Sequence, residues 1–165
     1  VTVRHHYRVN LPIRDAASRP AFPPDSLVRI LRHDDAAELA ALMLDAYRGS
    51  VDDDGETLAD ALNEVESYFT GKSGAPLLEH SHVCLIDGEI QSAVLISLWQ
   101  NTPLVAYLMT RAAWKGKGLV QRLLVRSLHS LGDAAFGSAE AFVTEGNIPS
   151  ERLLASVGFV GAACD

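Results

Sequence analysis

The chain has 165 residues, 48% of them apolar and 21% charged, which is enough to bury a core and excludes intrinsic disorder as a description of the whole. With 21 acidic against 14 basic residues the formal charge is −7, which argues against nucleic acid or an anionic membrane as partner. Two cysteines, Cys84 and Cys164, are too few for a disulfide framework, so a reducing, cytoplasmic compartment is expected; no apolar run reaches the ~18 residues of a membrane span.

Residues 1–25 read as an extended arm. Pro12, Pro20, Pro23 and Pro24 exclude helix, while Val1, Val3, His5, Tyr7, Val9, Leu11 and Ile13 keep the period-two alternation of a strand. The start carries charge without an apolar block behind it, so it does not read as a secretory signal, and the opening Val1 fits a register that begins inside a longer product. Ser26 to Arg32 is β-branched and reads as strand. Asp34 and Asp35 then stand at a helix start, and Leu39, Leu42, Met43 and Ala46 follow at helical spacing to about Arg48.

Leu58, Ala61, Leu62, Val65 and Phe69 mark a second helix that stops near Gly71. His82–Ile86 and Glu89–Trp99 flank Asp87-Gly88, a dipeptide suited to a tight hairpin turn. Leu104–Met109 is a further strand, Val120, Leu123, Leu124, Leu128 and Leu131 a helix, Ala139–Val143 a strand, and Ile148–Ser156 a short helix with Pro149 in its first turn. A last strand starts at Phe159. Tyr107 and Trp99 read as core aromatics, and His80 and His82 as structural or surface residues.

Two charge runs face each other in composition. From Arg111 to Arg126 there are five basic side chains and no acid; from Val51 to Thr70 there are seven acids and no base. Taken alone, each reads first as a solvated face. Within the basic run, however, Lys115-Gly116-Lys117-Gly118 lies between a strand end and a helix start, where free backbone amides and the positive end of the helix dipole collect anions. It is neither a Walker loop nor a dinucleotide fingerprint. No metal-ligand spacing is present; His5-His6 stands alone in the arm.

Further on, Asn147, Ser150, Leu153, Gly158 and Phe159 fall at the spacing Asn-x-x-Ser-x-x-Leu…Gly-Phe. This segment resembles the GNAT superfamily of CoA-dependent N-acyltransferases, whose phosphate loop falls on Lys115-Gly116-Lys117-Gly118-Leu119-Val120. The resemblance covers roughly residues 26–160 and implies an α/β (α+β) fold: one domain over residues 26–165 with a central mixed, mostly antiparallel sheet and helices on both faces. Its fourth and fifth strands, here Leu104–Met109 and Ala139–Val143, are expected to splay. Into that gap the family inserts the pantetheine arm of acetyl-CoA, on backbone groups that here belong to Leu108, Met109 and Thr110. The pyrophosphate would take amides from Lys115 to Val120, and Asn147 would touch the cofactor arm or cap its helix.

The sequence departs from the family's pattern at Lys115, which stands for Gln/Arg, at Val120, which stands for a small residue, and at Leu154, where many members carry the tyrosine that protonates the thiolate. A water or the Ser150 hydroxyl would have to replace it. Glu145, ending the fifth strand, is the expected general base, against the plainer reading of a solvated turn residue. The implied activity is transfer of an acetyl or similar short acyl group to a primary amine. The acids from Asp52 to Glu66 point to a cationic acceptor: a polyamine, an aminoglycoside-like amine or a lysine side chain. The alternative is a CoA-binding module without turnover. Only six residues follow Phe159, where the family continues through two strands, so the arm is expected to add a strand, to its own sheet or by exchange within a homodimer.

Overall fold

The computed structural model describes residues 2–14 and 23–162. Val1, Pro20 and Cys164 lie outside the described residues. The elements in chain order are β1 (Arg4–Asn10), β2 (Val28–Ile30), α1 (Ala36–Tyr47), α2 (Leu58–Phe69), β3 (Ala75–Pro76), β4 (His82–Ile86), β5 (Glu89–Trp99), β6 (Thr102–Thr110), α3 (Leu119–Asp133), β7 (Ser138–Thr144), α4 (Ile148–Ser156) and β8 (Val160–Gly161). The eight strands form one sheet of order β2-β4-β5-β6-β7-β1-β8, with β3 paired to β5.

The strand that starts the chain is central to one half of that sheet. β1 pairs antiparallel with β7 over Arg4↔Thr144 to Asn10↔Ser138, and β8 pairs with its other edge at Tyr7 and Arg8. The alternating arm therefore adds its strand to its own sheet. β3 has no signal in the sequence; two residues containing a proline carry no periodicity to detect.

Period-two alternation along β4 and β5, and along β6 on either side of a register shift at Ala106, sends side chains to two separate cores. Val83, Ala93, Leu95 and Met109 pack with Leu39, Leu42, Met43 and Val65 of α1 and α2. Cys84, Val94, Ile96 and Val105 pack instead with Leu123, Leu124 and Leu128 of α3 and Leu154 of α4. The centre of β5 is buried on both faces, which explains its continuous apolar run. Trp99, at the strand's end, is 39% exposed rather than a core aromatic, because β5 has by then run past both helical layers.

Asp35 corrects the expected cap. As N-cap of α1 it makes no side-chain cap bond; its carboxylate accepts from Arg32 N–H at 2.8 Å and from both terminal nitrogens of Arg29 at 2.8 Å. Thr57 is the cap of α2, accepting from Asp60 N–H while Asp60 accepts from Thr57 N–H. His80 and His82 are buried and structural: their Nδ1 atoms meet Ser130 Oγ at 2.6 Å and Ser127 Oγ at 2.8 Å.

Candidate active site

β6 and β7 run parallel but are paired only at Leu104↔Glu140 and Val105↔Ala141. Beyond Val105 they diverge. The cause is written in the register of β6 with β5, which shifts between Leu95↔Tyr107 and Ile96↔Val105 and leaves Ala106 as an extra residue. Such a bulge bends the strand that carries it. Arg111 N–H bonds Gln91 C=O, which sets the alternation: Tyr107 and Met109 turn their backbone groups to β5, Leu108 and Thr110 turn theirs to the gap. Met109 C=O also accepts from Ser92 Oγ at 2.8 Å, so of the three residues expected to present backbone groups to the gap, Met109 does not.

A cavity of about 550 Å³ opens at this divergence. Its walls are Ala106, Tyr107 and Leu108 of β6, Phe142 and Thr144 of β7, Tyr47 and Tyr68 from the α1–α2 layer, and Leu154 of α4. Tyr47 OH donates to the gap-facing carbonyl of Leu108 at 3.2 Å. Burial, with the Asp52 charge behind it, holds that hydroxyl far above the ordinary tyrosine range, so Tyr47 stays protonated. Tyr107 is a wall residue rather than a core aromatic, and its hydroxyl donates to Glu64 on α2. Burial and that carboxylate raise its pKa well above normal.

The acidic run lies along this cavity. Asp52, Asp53, Asp54, Glu56, Asp60 and Glu64 all line it. Asp52 reaches across the gap: Thr144 Oγ1 donates to Oδ1 at 2.6 Å and Asn147 Nδ2 donates to Oδ2 at 3.0 Å. Asn147 is also the helix cap, its Oδ1 accepting from Ser150 N–H at 3.2 Å.

Glu145 is placed elsewhere and does not line the cavity. Along β7 the side chains of Glu140, Phe142 and Thr144 share one face, so the next residue turns away from it. Its side chain is 65% exposed and meets His5 at 3.8 Å, while its N–H bonds Val3 C=O. Asp52, rather than Glu145, is the carboxylate the fold brings to the gap. The acid run was its only signal in the sequence, and Thr144 could have been found by parity with Phe142.

At the start of α3, Gly116 and Gly118 have φ of 78° and 82°, a region where side chains strain the backbone. Gly118 is the N-cap and makes no side-chain cap bond; the first helical bond runs from Arg122 N–H to Gly118 C=O. The amides of Leu119, Val120 and Gln121 thus precede the helical ladder and point out of the helix start. Lys115 Nζ donates to Ala46 C=O at the end of α1 at 2.5 Å, and Lys117 Nζ sits 4.7 Å from the centre of the Trp114 ring. Among the described residues no group of three or more His, Cys, Asp or Glu is placed to hold a metal, and no helix is long and apolar enough to cross a membrane.

No protein-family model and no curated protein matches the sequence. Solved structures do. A GCN5-related N-acetyltransferase of Sphaerobacter thermophilus superposes with TM-score 0.71 at 15% identity, over 98% of this chain and 49% of that one. The aminoglycoside 6'-N-acetyltransferase AAC(6')-IG of Acinetobacter haemolyticus gives 0.62 at 10% identity over 84% and 93%. A GNAT-family acetyltransferase of Brucella melitensis in complex with acetyl-CoA gives 0.54 at 20% identity over 66% and 70%. The chain thus spans about half the length of the Sphaerobacter protein. Its splayed sheet, with α1 and α2 on one face and α3 and α4 on the other, is the fold of the GNAT acetyltransferases.

Proposed function

We propose that this chain transfers an acetyl or other short acyl group from acyl-CoA to a primary amine. The observation that carries this reading is the divergence of β6 and β7 after Val105, beside a helix start at Gly118 that no side chain caps. Leu108 and Thr110 offer backbone groups to an extended pantetheine arm, and Gly116, Lys117, Gly118, Leu119 and Val120 offer amides to a pyrophosphate. Lys115 holds the loop to α1 and adds positive charge nearby. Asn147, already bound to Asp52 and to its own helix, reaches the same gap.

Acyl-CoA supplies an activated thioester. The chain's part is to hold it still, polarise its carbonyl by a gap-facing N–H, and take the proton from the attacking amine. Asp52 is the group that takes this proton, because its carboxylate lies between the gap and the acidic loop, fixed by two donors. As the nitrogen–carbon bond forms, the amine proton passes to Asp52, and the carbon–sulfur bond breaks to leave a thiolate. Leu154 offers that sulfur no proton, whereas the Ser150 and Tyr47 hydroxyls line the same cavity. The carboxylates around it favour a cationic acceptor, a small polyamine or aminoglycoside-like amine, or a lysine side chain.

Thermal shift with acetyl-CoA, desulfo-CoA and ATP tests cofactor binding, since a ligand of the folded state raises its stability. Both CoA ligands should raise Tm more than ATP does; no shift with either would end this reading. Thiol release over a panel of amines then tests turnover. The second reading, CoA binding without turnover, draws on Leu154, whose apolar side chain is fully buried beside the gap. Stabilisation without thiol release would select it.

A further inference from the structure

Two guanidinium groups line the otherwise acidic cavity, Arg48 and Arg4. Arg48 is committed: Nη1 bonds Asp53 at 3.2 Å and Nη2 donates to Glu56 C=O at 3.0 Å. Arg4 is different. It is an exposed residue at the start of β1, opposite Thr144 in the register, and therefore next to the Thr144–Asp52 bond. Among the described residues its guanidinium has neither an ion pair nor a hydrogen bond, although six carboxylates line the same cavity. Its charge is felt at Tyr107, whose raised pKa it partly offsets.

The cavity is therefore bipolar. Carboxylates come from the α1–α2 loop and α2, and the uncommitted cation comes from β1. Phe142, 44% exposed and stacked on His6, adds an apolar ring to the lining. A purely cationic acceptor would satisfy the carboxylates but would meet Arg4 with like charge. An acceptor with an ammonium at one end and a carboxylate at the other satisfies both, and the planar guanidinium fork matches a carboxylate in two hydrogen bonds.

We propose that the acceptor of this site is an amine that also bears a carboxylate, an amino acid or a peptide terminus, and that Arg4 recognises the carboxylate. The proposal rests on the acyl-transfer reading for its amine and on Arg4 alone for its anion. It makes Arg4 a specificity-determining residue supplied by the strand that opens the chain.

The test compares matched acceptors: lysine with cadaverine, phenylalanine with phenethylamine, and each amino acid with its C-terminal amide. Thiol release with acetyl-CoA should favour the carboxylated member in kcat/KM by about tenfold, the size of one charge-assisted hydrogen bond. In Arg4→Gln that preference should fall to about unity through KM, and Arg4→Lys should restore part of it. Arg8→Gln, which removes a cation paired with Glu140 outside the cavity, should keep the preference and serves as the control for β1. Thiol release with equal preference in the parent protein, or a preference that survives Arg4→Gln, would overturn the proposal. Release with no amine at all would instead end the acyl-transfer reading. In that case NMR titration decides the proposal: binding of the carboxylated member alone, lost in Arg4→Gln, supports it, and equal or absent binding overturns it.

Discussion

The two charged loops beside the gap spend their charge in opposite ways. In the basic run, Lys115 donates to a helix carbonyl, Lys117 sits on Trp114, Arg111 Nε donates to Ile90 C=O, and Arg122 and Arg126 share Asp25. Those cations are engaged by partners within the fold, and what faces the helix start is backbone. In the acidic run the carboxylates accept mainly from neutral donors: Asp52 from Thr144 and Asn147, Asp60 from Thr57, Glu64 from Tyr107. Their negative charge stays available to a ligand. A run of charge in a sequence therefore does not say which charges will act on a substrate; the partner of each does.

The sharpest probe on the side of the basic run is His82. Burial, helped by the nearby Arg126, pushes its pKa down to about 4. A native state that keeps His82 neutral is favoured fully above the unfolded pKa, and that advantage is lost as pH falls from about 6.5 to about 4. The loss should approach ~3 kcal/mol, at ~1.4 kcal/mol per unit. His82→Gln should flatten this part of the stability curve, measured by denaturant unfolding across pH. An unchanged slope would show that His82 is not the group whose protonation sets this part of the curve.

On the acidic side, Asp52→Asn keeps a side chain of the same shape but can no longer take a proton. kcat/KM for the amine should fall about 100-fold, the lower range for loss of a general base, while acetyl-CoA affinity is held. A pH–rate profile like that of the parent would remove Asp52 from the chemistry. Gly118→Val probes the backbone of the basic loop: acetyl-CoA affinity should drop about tenfold by calorimetry, as the side chain meets the anion's path. Gly49→Val shares the strain of positive φ, 75° against 82°, but sits in the acidic loop, so it should leave that affinity alone. Lys115→Met should have the smallest effect. It removes a cation from the end of α1, costing ~1 kcal/mol of stability by thermal unfolding and changing CoA affinity less than about threefold. A larger loss of affinity would mean that Lys115 binds anion rather than helix.

Elements with strong periodicity are legible in the sequence. The hairpin His82–Ile86 and Glu89–Trp99 and the helix Ile148–Ser156 have the predicted bounds, because turn chemistry and a capping Asn147 fix them locally. The site is legible only in part. Its opening depends on a bulge at Ala106 and on two pairings between strands far apart in the chain, neither of which leaves a pattern in composition. Strand parity places Thr144 in the cavity and Glu145 outside it, a difference of one residue that a strand-end assignment cannot resolve. The roles of Tyr47 and Arg4 depend on elements that meet only in three dimensions.

The position of β1 has a consequence for how the protein is made. β1 is synthesised before its partners, which lie from Ser138 to Thr144 in β7 and at Val160 and Gly161 in β8. This half of the sheet can close only after β7 and β8 have been translated. Such non-local pairing folds slowly, and an early strand that waits with open edges is exposed to misassociation and to chaperones. The acidic loop lies between α1 and α2, whereas Arg4 joins the cavity only when β1 docks on β7. Acceptor selection by Arg4 is thus expected only once β1 has docked on β7.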